Sequence, residues 1–215
     1  MEPDHWPESY KIIERGGTGE IEEKKSRFIA HVAPACTEEE ALAFIEARKK
    51  EYWDARHNCY AYILGEKGQT MRFSDDGEPT GTAGKPMLEV LSGSGVRNVV
   101  LVVTRYFGGI KLGTGGLVRA YTSSARLGID AASLCGVARM AVMDIKMEYS
   151  FLKKMQNLSE QGLFKIENTV YEDMVTLSIC CEKDKREDTR LLIANMTSGN
   201  FQVVFEGEKL VKVEI

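Results

Sequence analysis

Residues 98–128 read NVVLVVTRYFGGIKLGTGGLVRAYTSSARLG. The opening run, Val99–Val103, is apolar throughout and valine-rich, the composition of a buried strand. Glycines then fall at 108, 109, 113, 115 and 116, interleaved with Arg105, Tyr106, Lys111 and Arg119. Beyond them Leu117, Ala120, Tyr121 and Ala125 recur at helical spacing, which predicts a helix with these four inward and Gly128 as its stop. The segment is therefore a strand that passes through a glycine-rich turn into a helix.

Upstream, YKIIERGG and GEIEEKKSRFIAHVAPA read as two strands separated by a turn at Gly16-Gly17-Thr18-Gly19. Thr37 and Glu40 form a capping box that starts a helix running to about Tyr52, with Leu42, Ile45, Lys49 and Tyr52 on one face. NCYAYIL (58–64) and TMRFS (70–74) read as a hairpin, DDGEPTGTAGKP as a polar loop, PMLEVLSGSG as a short helix, and VRNVVLVVTRYF as one buried strand. From about Gly136 the grammar changes to strand, helix, strand, strand, helix, strand, the βαββαβ order of a ferredoxin-like domain. The expected organisation is α+β, with domains over 1–136 and 137–215.

With 215 residues each half can bury a core of its own. No apolar run approaches the ~18 residues of a membrane span, and the acidic start MEPDHWPESYK lacks the apolar centre of a signal peptide. The expected location is cytoplasmic, without membrane contact. Five cysteines, at 36, 59, 135, 180 and 181, show no metal-binding spacing and read as reduced thiols; neither a metal nor a cofactor is indicated. The net charge of −4 and pI near 5.6 argue against general affinity for nucleic acid. The local distribution differs. No acidic residue lies between Glu89 and Asp130, an interval that holds Arg97, Arg105, Lys111, Arg119 and Arg126.

Two loops carry the candidate site. In the first, Gly113-Thr114-Gly115-Gly116 falls at a helix N-terminus, where free N–H groups and the helix dipole favour an anion. Arg105, Tyr106, Gly108, Gly109, Lys111 and Arg119 complete that anion or nucleic-acid surface. The glycines read equally as tight turns, since the pattern is neither a Walker loop nor a dinucleotide fingerprint. The second loop brings Asp75, Asp76 and Glu78 together with Thr82 and Lys85. Its carboxylates suit either Mg²⁺ or pairing with Arg105 and Lys111, and also an ordinary solvated turn. His57 precedes a strand and is the one histidine in a plausible site; His31 lies mid-strand and His5 in the tail. Catalytic residues are not identifiable: no nucleophile motif is present. Tyr106, Phe107 and Tyr121 suit base stacking or a helix–strand junction.

RFSDDGEPTGTAGKP followed by VVLVVTRYFGGIKLGTGGLVRAYTSSA, together with EKKSRFIA and ARHNCYAY, resembles the IMPACT/YigZ family over residues 8–135. The second half resembles the smaller C-terminal domain of bacterial members. The resemblance implies a ribosomal-protein-S5 domain-2-like fold for the first domain and a role linked to translation, without an established enzyme activity. It also implies that the shared polar residues are Arg27, His57, Asp75, Asp76, Glu78, Lys85, Arg105, Lys111 and Arg119. The partner-binding domain that precedes this one in eukaryotic relatives is not expected here.

Three functions follow as alternatives. The first is a translation-associated binding protein that contacts RNA or a ribosome-associated factor through the basic glycine-rich surface. The second is an enzyme acting on a phosphorylated small molecule, with the carboxylates of 75–78 on a metal and Lys111 and Arg119 on phosphate. The third is a structural adaptor, which requires the two charged loops to lie apart. The oligomeric state is not legible.

Overall fold

A computed structural model describes residues 9–213; the tail containing His5 lies outside them. The chain divides into two compact units, Met1–Val137 with Val213–Ile215, and Ala138–Lys212. Among the described residues no helix is long and apolar enough to cross a membrane.

The first unit opens with β1 (Ser9–Arg15), β2 (Gly17–Glu23) and β3 (Ser26–Pro34). The stretch expected as one strand from Gly19 to Ala35 is a hairpin. Glu23 pairs with Ser26, and Lys24 and Lys25 turn with φ of 48° and 65°. The turn expected at Gly16–Gly19 is absent, because Gly17 and Gly19 lie inside β2. A Cβ at Gly19 would stand 2.8 Å from the Leu127 carbonyl carbon, so the lack of a side chain admits a helix here and does not reverse the chain.

Helix α1 (Glu38–Glu51) begins as its capping pattern predicts. Thr37 Oγ1 accepts from the Glu40 amide, and Glu40 reaches back to accept from the Cys36 amide. Its buried face is Ala41 and Ile45; Leu42, expected inward, is exposed. Next come β4 (His57–Leu64), β5 (Thr70–Ser74), α2 (Gly84–Gly93), β6 (Val96–Arg97), β7 (Val99–Tyr106) and α3 (Gly113–Asp130). The strand expected from Val96 onward breaks at Asn98, whose φ of 51° separates β6 from β7. β6 pairs in parallel with β1, while β7 enters the antiparallel sheet β2-β3-β7-β4-β5.

Helices cover both faces of that sheet, which accounts for the unbroken apolar run of β7. Val99, Leu101 and Val103 pack with Met87, Leu91, Leu117 and Tyr121 of α2 and α3. Val100 and Val102 pack with Ala41 and Ile45 of α1. Leu117, Ala120, Tyr121 and Ala125 are buried as their spacing predicts. Gly128 does not stop α3: it lies inside the helix, where an added Cβ would come within 3.0 Å of Val32 and 3.1 Å of Ala30. The glycine is a packing residue that lets α3 sit close on β3.

The second unit continues β8 (Ser133–Met147), followed by α4 (Leu152–Glu160), β9 (Lys165–Tyr171), β10 (Val175–Glu182), α5 (Arg186–Thr197) and β11 (Phe201–Val213). The strand order β11-β8-β10-β9, with β8–β10 and β10–β9 antiparallel, is that of a ferredoxin-like fold. Met143, Ile145, Leu177 and Ile179 meet Met155 of α4 and Ile193 of α5 in its core. The class is α+β, an S5 domain-2-like first domain followed by a ferredoxin-like one.

Candidate functional site

Strand parity builds the site. Arg105 stands on β7 opposite Phe28 of β3 and opposite His57 of β4. Side chains two residues apart share a face. Arg105 therefore points to the α2–α3 side, as Leu101 and Val103 do, and Phe107 follows on the same side. Tyr106 turns the other way, where its hydroxyl donates to Asp54 at 2.8 Å. Thr104, on that same opposite face, donates to Asn58 Oδ1 at 2.7 Å.

The polar loop between β5 and α2 folds over this end of the sheet, and its carboxylates are tied down one by one. Asp75 accepts from the amides of Gly81, Ala83 and Gly84 at 2.8, 3.0 and 2.8 Å, and so caps α2, whose own N-cap, Ala83, has no side chain to do it. Asp76 accepts from the Asn58 amide at 2.6 Å. Glu78 turns inward. Its Oε1 accepts from Arg105 Nη1 at 2.6 Å and from the Tyr121 hydroxyl at 2.9 Å, and lies 3.9 Å from His57 Nε2. Glu78 and Arg105 are 8% and 6% exposed, so the pair is buried and each charge depends on the other. Thr82 is buried and donates to the Pro79 carbonyl, and Lys85 is exposed on the first turn of α2. The carboxylates expected to suit a metal or a pairing with basic residues are all engaged within the protein. The three carboxylates already serve backbone amides, Arg105 and Tyr121, and among the described residues no cluster of His, Cys, Asp or Glu is placed to hold a metal ion.

Behind the pair, burial pushes the Tyr121 hydroxyl and the Cys59 thiol well above their usual ranges, so both stay neutral. The Cys59 sulfur lies 3.0 Å from the Asp75 carbonyl oxygen and 3.3 Å from Tyr121 Oη. His57 Nδ1 is 2.8 Å from the Asp76 carbonyl oxygen. A carbonyl only accepts, so this bond places the proton on Nδ1 and leaves Nε2 as the bare nitrogen when the ring is neutral.

In front of the pair lies a pocket of about 460 Å³, lined by the two loops together. Arg56, His57 and Arg105 line it together with the apolar Pro79, Phe107 and Leu117, and Lys111, Leu112, Gly113 and Thr114 bring in the start of α3. Gly113 has φ of 73°, a left-handed conformation that L side chains resist, and it turns the chain into the helix. The N-cap position of α3, Leu112, offers no side-chain hydrogen bond, and the first turn holds no acidic residue. The N-cap of this 18-residue helix thus gives its leading amides no side-chain acceptor, and its first residues line a pocket shared with the exposed Arg56 and Lys111.

Of the residues singled out in the sequence, His57, Glu78, Arg105, Lys111 and Gly113 line this pocket. Others have different placements. Gly108 holds the β2–β3 turn: its amide donates to Ser26 Oγ, and a Cβ there would meet the Lys25 carbonyl carbon at 2.0 Å. Gly109 is exposed, Gly115 and Gly116 lie in the first turn of α3, and Arg119 is exposed one turn further on. Arg27 pairs with Glu20 on the exposed side of β3. Phe107, weighed as a stacking ring, and Thr114 of the glycine-rich turn line the pocket as well, and so do Arg56 and Leu112, which were not singled out as site residues. The position of Arg56 immediately before His57 was the available signal.

Residues 24–129 match the model of the Impact N-terminal domain, and residues 145–200 match a domain of unknown function (DUF1949). IMPACT family member YvyE of Bacillus subtilis is 39% identical over 93% of this chain and 92% of its own length. IMPACT family member YigZ of Escherichia coli is 40% identical over 84% of this chain and 90% of its own. A crystal structure described as that of a hypothetical protein is 38% identical, with a TM-score of 0.59, covering 92% of this chain and 97% of that one. Matched along nearly its whole length by such relatives, the chain belongs to the IMPACT family.

Proposed function

We propose that the chain is a translation-associated binding protein that holds a phosphate-bearing ligand, RNA in the first instance, in the pocket at the start of α3. The family resemblance supports the link to translation. The observation that carries the binding reading is the convergence of the α3 N-terminus with the exposed Arg56 and Lys111 on one pocket. Net charge of −4 restricts the affinity to this locality, as a chain with general affinity for nucleic acid would be basic overall.

Filter binding of structured RNA at two salt concentrations tests the reading. Binding at low salt, with a steep loss at high salt, is expected. Arg56→Ala combined with Lys111→Ala should weaken it at least about tenfold, since two phosphate contacts disappear. Absence of binding at low salt, or indifference to the double substitution, overturns RNA as the ligand and favours a ribosome-associated factor.

One observation favours an enzyme acting on a phosphorylated small molecule: His57, whose Nδ1 is held by the Asp76 carbonyl oxygen, lines the pocket. A kinase-like form of that reading would need Asp75 and Asp76, which accept from backbone amides, to hold the metal as well. Calorimetry with millimolar Mg-ATP decides this form, and an absence of heat removes it.

A further inference from the structure

The phosphate end accounts for only part of the pocket lining. Pro79, Phe107, Leu112 and Leu117 supply an apolar wall. Phe107 is 45% exposed, although every residue of β7 from Val99 to Arg105 is buried. Its ring is held from beneath: the Arg105 guanidinium carbon lies 5.6 Å from the Phe107 centroid and 5.4 Å from that of Phe28. Arg105 is thus in contact with a core ring and a rim ring. It is more than nine-tenths buried, it lines the pocket, and its Nε has no hydrogen-bond partner.

Size selects among phosphate-bearing ligands. A volume of 460 Å³ is that of a cube about 8 Å on a side, whereas the major groove of a duplex alone is about 12 Å wide. A paired helix cannot enter, but one unpaired nucleotide can. Unpaired bases are held by stacking on aromatic side chains, with basic groups on the backbone.

We infer that the pocket takes a single unpaired nucleotide, its phosphate at the α3 N-terminus beside Lys111 and Arg56 and its base against Phe107. The inference rests on the anion-binding reading and adds the base. The same chemistry occurs in a free nucleotide and in a single-stranded segment of nucleic acid.

Calorimetry on the full chain with inorganic phosphate, ribose 5-phosphate, uridine 5′-monophosphate and the single-stranded trinucleotide UUU tests it. The monophosphate should bind about 5- to 100-fold more tightly than ribose 5-phosphate, the range a stacked base supplies. Phe107→Ala should abolish that difference while leaving ribose 5-phosphate binding unchanged, and Phe107→Tyr should restore it. Phe107 is exposed, so the variants should fold, which circular dichroism checks. A trinucleotide that binds at least about tenfold more tightly than the monophosphate, and loses the same factor in Phe107→Ala, identifies single-stranded nucleic acid as the source. Equal affinities identify a free nucleotide, and either outcome supports the inference. Ribose 5-phosphate binding as tightly as the monophosphate, or a Phe107→Ala variant that binds the monophosphate normally, overturns it. In that case inorganic phosphate binding that weakens in the Arg56→Ala, Lys111→Ala variant leaves the anion-binding reading standing. If no phosphate compound binds at millimolar concentration, both fall.

Discussion

Two charged loops converge on one pocket, and they use charge differently. In the loop between β5 and α2, the carboxylates hold the protein itself: Asp75 caps α2, Asp76 secures Asn58 at the start of β4, and Glu78 neutralises Arg105. In the loop between β7 and α3, Lys111 is exposed and forms no ion pair among the described residues, and the helix that follows starts without a side-chain cap. A cluster of carboxylates in sequence suggests metal chemistry. Here it is a frame, and the open charge sits on the other side. Glu78–Arg105 is the joint between them, a carboxylate of the first loop paired with an arginine of the strand that leads into the second.

The largest effect should come from breaking the frame at its most connected point. Asp75→Ala leaves three amides of the α2 start without their acceptor, two of them on buried residues. At about 1–3 kcal/mol for each buried group left unsatisfied, partly relieved by water, a loss of about 4 kcal/mol is expected in urea unfolding. Asp75→Asn keeps one oxygen and should recover part of it. A loss below about 1 kcal/mol for the alanine variant would mean that the loop's carboxylates are not structural, and would reopen them as ligands.

Next in size is the joint. Glu78→Gln removes the charge that Arg105 needs while keeping the shape and an acceptor for Tyr121. Breaking a buried pair from one side costs about 3–5 kcal/mol, and the retained acceptor places the expected loss near about 3 kcal/mol. The same change releases the Arg105 positive charge toward the pocket, so phosphate should bind more tightly even as the fold weakens. Titration calorimetry and urea unfolding of one variant read the two effects separately. Weaker phosphate binding would show that Glu78 organises the site and does not compete with the ligand.

What could be read beforehand follows the range of the forces involved. The α1 start was legible because Thr37 and Glu40 act within one turn, and β7 was legible because helices on both faces demand an unbroken apolar run. That same run hid the site's parity: with both faces apolar, nothing marked which side Arg105 and Phe107 share and which side takes Tyr106. Once Arg105 is placed, period-two alternation assigns the other two. The Lys24–Lys25 turn was illegible because positive φ is ordinarily flagged by Gly or Asn. Gly128 and the cap by Asp75 depend on partners elsewhere in the fold or six to nine residues along the chain, beyond any local pattern.

The smallest effect on folding should accompany one of the clearest effects on binding. Lys111 is exposed and pairs with no carboxylate among the described residues, so Lys111→Ala should change stability by less than about 0.5 kcal/mol. If Lys111 contacts a phosphate, its removal lowers the salt dependence of RNA binding by about one unit of slope, because one fewer counterion is released. This variant therefore separates frame from site more cleanly than any change to Asp75 or Glu78, whose binding defects would be entangled with unfolding. A slope that stays fixed while affinity falls would place the role of Lys111 in shaping the loop before Gly113. A slope that drops by about one places its ammonium on the ligand.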